Sequence, residues 1–205
     1  TKDVLLSILS NPQNLDRLKE LDLDKSTNLS VISNVNSLRK IFQTWENNKT
    51  NNDENFWQDF FKLNSWVIAQ VFSYPVVLFK DKAYVGGKTL DNKEGNIIDF
   101  IYKNRFTENV LLIEIKTPTA PLLGGGYRGG VYGWNSDVSG AISQLLNYKH
   151  EIQENSKSLV SEAQHFFVFD PHCMLIVGNA EKELSSSDRK KSFSLLRNYS
   201  KNISV

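Results

Sequence analysis

Three charged residues carry the strongest chemical signal in the chain. Asp99 lies in Gly95-Asn96-Ile97-Ile98-Asp99-Phe100, and Glu114 and Lys116 close the run Val110-Leu111-Leu112-Ile113-Glu114-Ile115-Lys116-Thr117-Pro118. Side chains along a strand alternate between its faces, so Glu114 and Lys116 share one side and Ile113 and Ile115 the other. If the two segments are adjacent antiparallel strands, the carboxylates meet at one end of the sheet. Two carboxylates suit a hard cation such as Mg²⁺, and the carbonyl of Ile115 adds a third oxygen. Beside such an ion, Lys116 is placed to orient or deprotonate a water, or to offset charge on a phosphate. The ion would polarise a phosphoryl oxygen and generate the nucleophile. The plain alternative is an exposed strand whose Glu and Lys pair on one face, an interaction worth little. Against it, the charges close an apolar run, where a strand should be buried, and local rules often break at functional sites.

Four more positions agree with this chemistry, each with an ordinary reading beside it. Glu54 opens the segment Glu54-Asn55-Phe56-Trp57-Gln58-Asp59-Phe60-Phe61. It is either an accessory acid of the metal site or a first-turn charge favoured by the helix dipole. Gln144 and Tyr148 are four residues apart on a predicted helix and share a face; Tyr148 alone reads equally as core, whereas Gln144 falls beside the apolar stripe. Arg128 follows Tyr127 in a glycine-rich stretch whose backbone can approach a phosphate; it reads otherwise as a surface residue, and the Tyr127-Arg128 pair as a contact for a protein partner. His150, His165 and His172 lack metal-ligand spacing.

The elements that must position these residues follow from periodicity. Val31, Ile32, Val35, Leu38, Ile41, Phe42 and Trp45 recur at three- and four-residue steps and predict a helix over 29–46. The polar run 47–52 marks a boundary. A helix starts at about Asp53, capped by Asn52 or Asp53, with Phe56, Phe60 and Leu63 on one face and Trp57 and Phe61 widening it. The period then changes. Runs 66–72 and 76–79, split by Pro75, read as strands, as do 96–102 and 109–116. Asp81-Lys82 and Gly86-Gly87 are turn signals. Gly124 to Gly130 reads as a loop. Residues 137–153 predict an amphipathic helix capped by Ser136 or Asp137. Residues 166–169 and 173–178 predict two strands broken at Pro171. A last helix is capped within Ser185-Ser186-Ser187, and 203–205 starts another strand. This order fits an α/β sandwich with a central mixed sheet flanked by helices, preceded by a helical accessory segment, 1–50, with the main domain over 51–205.

Bulk properties bound the alternatives. The 205 residues suffice for one sizeable core. No run reaches the roughly 18 apolar residues of a membrane helix. The start, Thr1-Lys2-Asp3-Val4, is no signal peptide and lacks an initiator Met, so an upstream segment is expected. One cysteine, Cys173, makes neither a disulfide nor a zinc cage and fits a reducing, cytoplasmic setting. A net charge of +1 argues against binding nucleic acid by bulk charge, leaving a local patch and bound cations. No ribose-reading feature or recognition helix is visible, so backbone, ends or structure would be read more than base sequence.

The blocks Glu54-Asn55-Phe56-Trp57-Gln58, Val85-Gly86-Gly87, Ile98-Asp99-Phe100, Glu114-Ile115-Lys116-Thr117-Pro118, Tyr127-Arg128-Gly129-Gly130-Val131-Tyr132 and Ser139-Gly140-Ala141-Ile142 with Gln144 and Tyr148 together resemble the PD-(D/E)xK superfamily, in the branch that adds Gln-x-x-x-Tyr. More closely, they resemble the nuclease domain of the Shedu anti-phage defence family of bacteria. The likeness covers about residues 53–200. It implies a restriction-endonuclease-like fold and DNA cleavage with Mg²⁺ or Mn²⁺. Asp99 and Glu114 would be metal ligands with Glu54 accessory, Lys116 the catalytic lysine, and Gln144 and Tyr148 a support touching substrate or that lysine. It also implies a homo-oligomer, a dimer or tetramer, in the bacterial cytoplasm. The superfamily's proline is replaced by Ile98. The alternative is an inactive nucleic-acid-binding or scaffold module that keeps the fold.

Overall fold

The computed structural model describes residues 25–85, 96–159, 165–201 and 203–205, with the side chains of 25–34, 96 and 157–159 left aside. The expected turn at Gly86-Gly87 lies outside the described residues, as do residues 1–24. The chain divides into two compact units, 1–49 and 50–205. In the first, α1 spans Lys25–Asn47, and Val35, Leu38, Ile41, Phe42 and Trp45 are its half-buried stripe. Asn48 closes it, its side chain donating to the Thr44 carbonyl at 2.8 Å.

The second unit is built on a five-stranded mixed sheet in the order β1-β2-β3-β6-β7. Strands β1 (Val76–Val85), β2 (Asn96–Asn104) and β3 (Asn109–Ile115) form an antiparallel meander; β6 (Phe167–Ile176) and β7 (Ile203–Ser204) add in parallel. A parallel neighbour requires a crossover, and the long helix α4 (Ser136–Leu159) supplies it between β3 and β6. Val138, Ala141, Leu145, Tyr148 and Ile152 of α4 pack onto Val110, Leu112, Cys173 and Leu175 of the sheet. Strand β3 is thus buried along nearly its whole length, which is why it reads as a continuous apolar run. Helices α2 (Glu54–Leu63) and α3 (Ser65–Ala69) complete the N-terminal side of this unit. Short helix α5 (Ala180–Glu183) and α6 (Ser187–Tyr199) follow β6. Among the described residues no helix is long and apolar enough to cross a membrane.

Several elements differ from their sequence expectation. Residues 65–69 are helical rather than extended: Ile68 is buried and Tyr102 donates to the Ser65 carbonyl at 2.9 Å, and such tertiary contacts override β-propensity. The buried face of α2 is Trp57, Phe60 and Phe61, while Leu63 is 82% exposed; the stripe is rotated so that Glu54 and Gln58 flank it. Asp53 is the cap, accepting from Asn55 N–H at 3.0 Å, and Asn135, not Ser136 or Asp137, caps α4 by accepting from Asp137 N–H at 2.9 Å. Asp81-Lys82 makes no turn. Lys82 takes a φ of 46° inside β1 and the pairing resumes at Ala83. The glycine stretch forms a hairpin, β4 (Leu123–Tyr127) against β5 (Val131–Trp134). Its backbone supplies the pairing, and its packing comes from Trp134 against Phe193 of α6 and from Ser192, which accepts from Tyr132 N–H. Pro171 does not split β6, but it has no N–H to donate, and the register with β3 slips between Asn109 and Leu111. The side chain of Asn109 bridges the gap to Phe169 N–H and the Asp170 carbonyl.

The loop after β3 is pinned tightly. Thr117 carbonyl accepts from Gly178 N–H at 3.1 Å and Lys116 N–H donates to Ile176 at 2.8 Å. Gly178 has a φ of +67°, and a Cβ there would lie 2.6 Å from the Leu122 side chain and 2.9 Å from the Ala120 carbonyl. Gly178→Ala is therefore expected to cost about 2–4 kcal/mol, from backbone strain plus overpacking. Urea unfolding checks this: the midpoint should fall with the slope unchanged.

Candidate active site

The antiparallel ladder of β2 and β3 ends with Phe100 opposite Ile113. One residue further in the same register, Asp99 faces Glu114. There the ladder changes partner: the N–H of Ile115 donates not to backbone but to Asp99 Oδ2, at 2.8 Å. A strand residue's N–H and C=O leave on the same side, so the Ile115 carbonyl also turns towards β2. Asp99 is 7% and Glu114 5% exposed. The sheet end thus holds two buried carboxylates side by side.

Around them stand one ammonium and one amide. Lys116 Nζ lies 3.2 Å from Glu114 Oε1 and 3.4 Å from Glu54 Oε1. Gln58, one turn after Glu54 on α2, donates to Asp99 Oδ1 at 2.5 Å. Glu114 Oε2 is buried with no hydrogen-bond partner among the described residues. Leaving a buried carboxylate oxygen unpaired is costly, and the ionisation equilibria reflect it. Burial pushes the Asp99 carboxyl up to about 6. Burial, and then the charge of Asp99, push Glu114 up to about 7. Burial works against the Lys116 charge, but Glu114 and Glu54 outweigh it and hold the ammonium above its ordinary value.

Four of the residues singled out in the sequence, Glu54, Asp99, Glu114 and Lys116, therefore converge, with Ile115 beneath them. Gln144 and Tyr148 come close as well. The Gln144 amide donates to the Tyr148 hydroxyl, and burial, then the charge of Glu114, raise the Tyr148 phenol. Gln144 lines an open cleft of about 600 Å³ together with Glu54, Lys116, Thr117 and the first turns of α4. Asp99 and Gln58 border a smaller depression of about 100 Å³ with Lys62, Asp81 and Lys82. Tyr127 and Arg128 line neither depression; they are exposed at the tip of the β4–β5 hairpin. Gln58 had not been singled out in the sequence, though its spacing of four from Glu54 puts both on one helix face.

A family model described as "Shedu protein SduA, C-terminal" matches residues 51–205. The chain belongs to the Shedu family. A Shedu protein SduA of Bacillus cereus (strain B4264) is 41% identical over 199 residues, covering 93% of this chain. The chain spans about half the length of that Shedu relative, 51% of it. All the converging residues of this Shedu chain fall inside the matched region.

The donor set fits a hard divalent cation. It offers only oxygen ligands, an unpartnered buried oxygen on Glu114, and one free lone pair or more on each Asp99 oxygen. Among the described residues no three His, Cys, Asp or Glu side chains gather as a metal cage. Two carboxylates and a carbonyl are nonetheless the sparse set that Mg²⁺, which keeps several waters, accepts. Glu54 faces Lys116, as its ion-pair partner.

The raised carboxyls make stability depend on pH. Ordinary values are 3.8 for Asp99 and 4.5 for Glu114, against about 6 and about 7 in the fold. Between those limits the folded chain binds more protons than the unfolded one, so stability falls as pH rises through about 6 and 7. In chelator, Glu114→Gln is expected to stabilise the protein by about 1–3 kcal/mol at about pH 8 and to flatten the decline. Thermal melting across pH reads this directly; a variant that melts lower at the alkaline end contradicts it.

Proposed function

We propose that this chain carries a divalent-metal-dependent nuclease site that hydrolyses phosphodiester bonds in DNA and acts in anti-phage defence. The observation that supports it best is the pair of buried carboxylates, Asp99 and Glu114, with an unpartnered oxygen on Glu114 and Lys116 alongside. Asp99, Glu114 and the Ile115 carbonyl would hold Mg²⁺ or Mn²⁺. The cation, when bound, supplies Lewis-acid polarisation of a phosphoryl oxygen and makes water a stronger acid.

The remaining work belongs to the chain's own groups. Hydrolysis joins a water oxygen to phosphorus, breaks the bond to the leaving oxygen and returns a proton to it. Lys116, its ammonium held above the ordinary value by Glu114 and Glu54, is charged at neutral pH. It would act as a donor that offsets charge developing on the phosphate. Glu54 keeps that ammonium in place at the cleft wall. Gln144, tethered to Tyr148 and exposed in the same cleft, is positioned to contact the strand being cut. A scaffold without turnover would have no use for two acids buried beside one ammonium. The family resemblance adds a homo-oligomeric assembly to this reading.

Purified protein is expected to nick or cut DNA with Mg²⁺ or Mn²⁺ and to stop in chelator. Lys116→Ala should lower the rate by about 100-fold or more while melting stays cooperative. Asp99→Asn should lose metal binding as well as cleavage. Undiminished cleavage by folded Lys116→Ala would falsify the assignment of that lysine.

A further inference from the structure

Asp99 can serve as a ligand only if its carboxylate plane is fixed, and β2 alone does not fix it. Phe100 is the last position of β2 paired with β3; Ile98 and Phe100, on either side of Asp99, still pair with β1, but those backbone bonds do not set the rotation of the carboxylate plane. Two donors take over. Ile115 N–H holds Oδ2 at 2.8 Å and Gln58 Nε2 holds Oδ1 at 2.5 Å. With one donor on each oxygen the carboxylate cannot rotate about its terminal bond without breaking a hydrogen bond. Each oxygen still keeps lone pairs for a cation.

Gln58 comes from a rigid platform. Its neighbour Trp57 is 1% exposed, Phe60 and Phe61 are buried beside it, and the Trp57 indole N–H is anchored on the Asn51 carbonyl at 3.1 Å. Glu54, four residues earlier, reaches Lys116 from the same face. One helix therefore controls both halves of the centre: Glu54 the ammonium, Gln58 the carboxylate. The chemical type matters too. An ionised Asp99 only accepts, so the amide must present its NH₂ group. A lysine or arginine here would do the same holding but place a second positive charge next to the ion. A neutral amide orients the ligand and leaves its charge for the metal.

We infer that Gln58 is a positioning residue of the metal centre: it fixes Asp99 in its ligand geometry through a neutral hydrogen bond delivered by α2. This rests on the metal-dependent reading of the site. Outer groups that orient a ligand typically account for about 10–100-fold in metal affinity.

Mn²⁺ binding to the whole chain, measured by titration calorimetry, tests it. Gln58→Met keeps the length and bulk of the side chain and removes the donor. Its Mn²⁺ dissociation constant should rise by about 10–100-fold, with cooperative melting in chelator retained. The Mn²⁺ concentration for half-maximal cleavage should rise by the same factor, and the rate at saturating Mn²⁺ should recover to within a few-fold. A purely packing role would leave the Met variant binding like the wild type, and that result overturns the inference alone. If Gln58→Met does not fold, Gln58→Asn, one methylene too short to reach, carries the same expectation. A wild-type chain that binds no Mn²⁺ overturns the metal-dependent reading and this inference together.

Discussion

Two acids are buried across from each other at the end of a sheet, and among the described residues Lys116 is the ammonium that touches them. That electrostatic imbalance governs this part of the molecule. Low dielectric strengthens every charge interaction and penalises every uncompensated charge. Asp99 has two donors and Glu114 has Lys116, yet both carboxyls are pushed well above their ordinary range. Burial is the first cause of both shifts, and what would offset it is further positive charge. A divalent cation would supply it, and the unpartnered oxygen of Glu114 points to where it is missing.

The fold makes this imbalance possible because it removes water. Strand β3 is covered by its neighbours in the sheet and by α4, so a carboxylate in line with Leu112 is forced into the interior. The register with β2 then brings Asp99 opposite it. Lys116 emerges one residue past the end of β3, where the chain reaches the cleft and is pinned by Ile176 and Gly178. Helix α2, set on its aromatic cluster, closes the other side. The site is therefore rigid because it is assembled from strand ends and a packed helix, with the loops contributing mainly the cleft walls.

The centre was legible because alternation in residues 110–118 forces Glu114 and Lys116 onto one face, and a single apolar run before Asp99 predicts the partner strand. Strands β2 and β3, α4 and the last helix followed from periodicity, whereas β1 runs on through the expected turn at Asp81-Lys82 and β6 through Pro171. The hairpin at 123–134 was not visible: glycines carry no strand propensity, and its packing against Phe193 and Ser192 involves residues some 60 positions away. The helix at 65–69 was hidden by β-branched composition that tertiary contacts overrule. Gln58 was missed because an amide four residues after an acid looks like ordinary helix surface until Asp99 is placed beside it.

The most direct measurement is anomalous diffraction from crystals of this chain soaked in Mn²⁺. A peak should appear between the Asp99 and Glu114 side chains, with oxygens of both at roughly 2.0–2.3 Å. Full soaking with no peak there, or with Mn²⁺ bound only elsewhere, would contradict a metal centre at the end of this sheet.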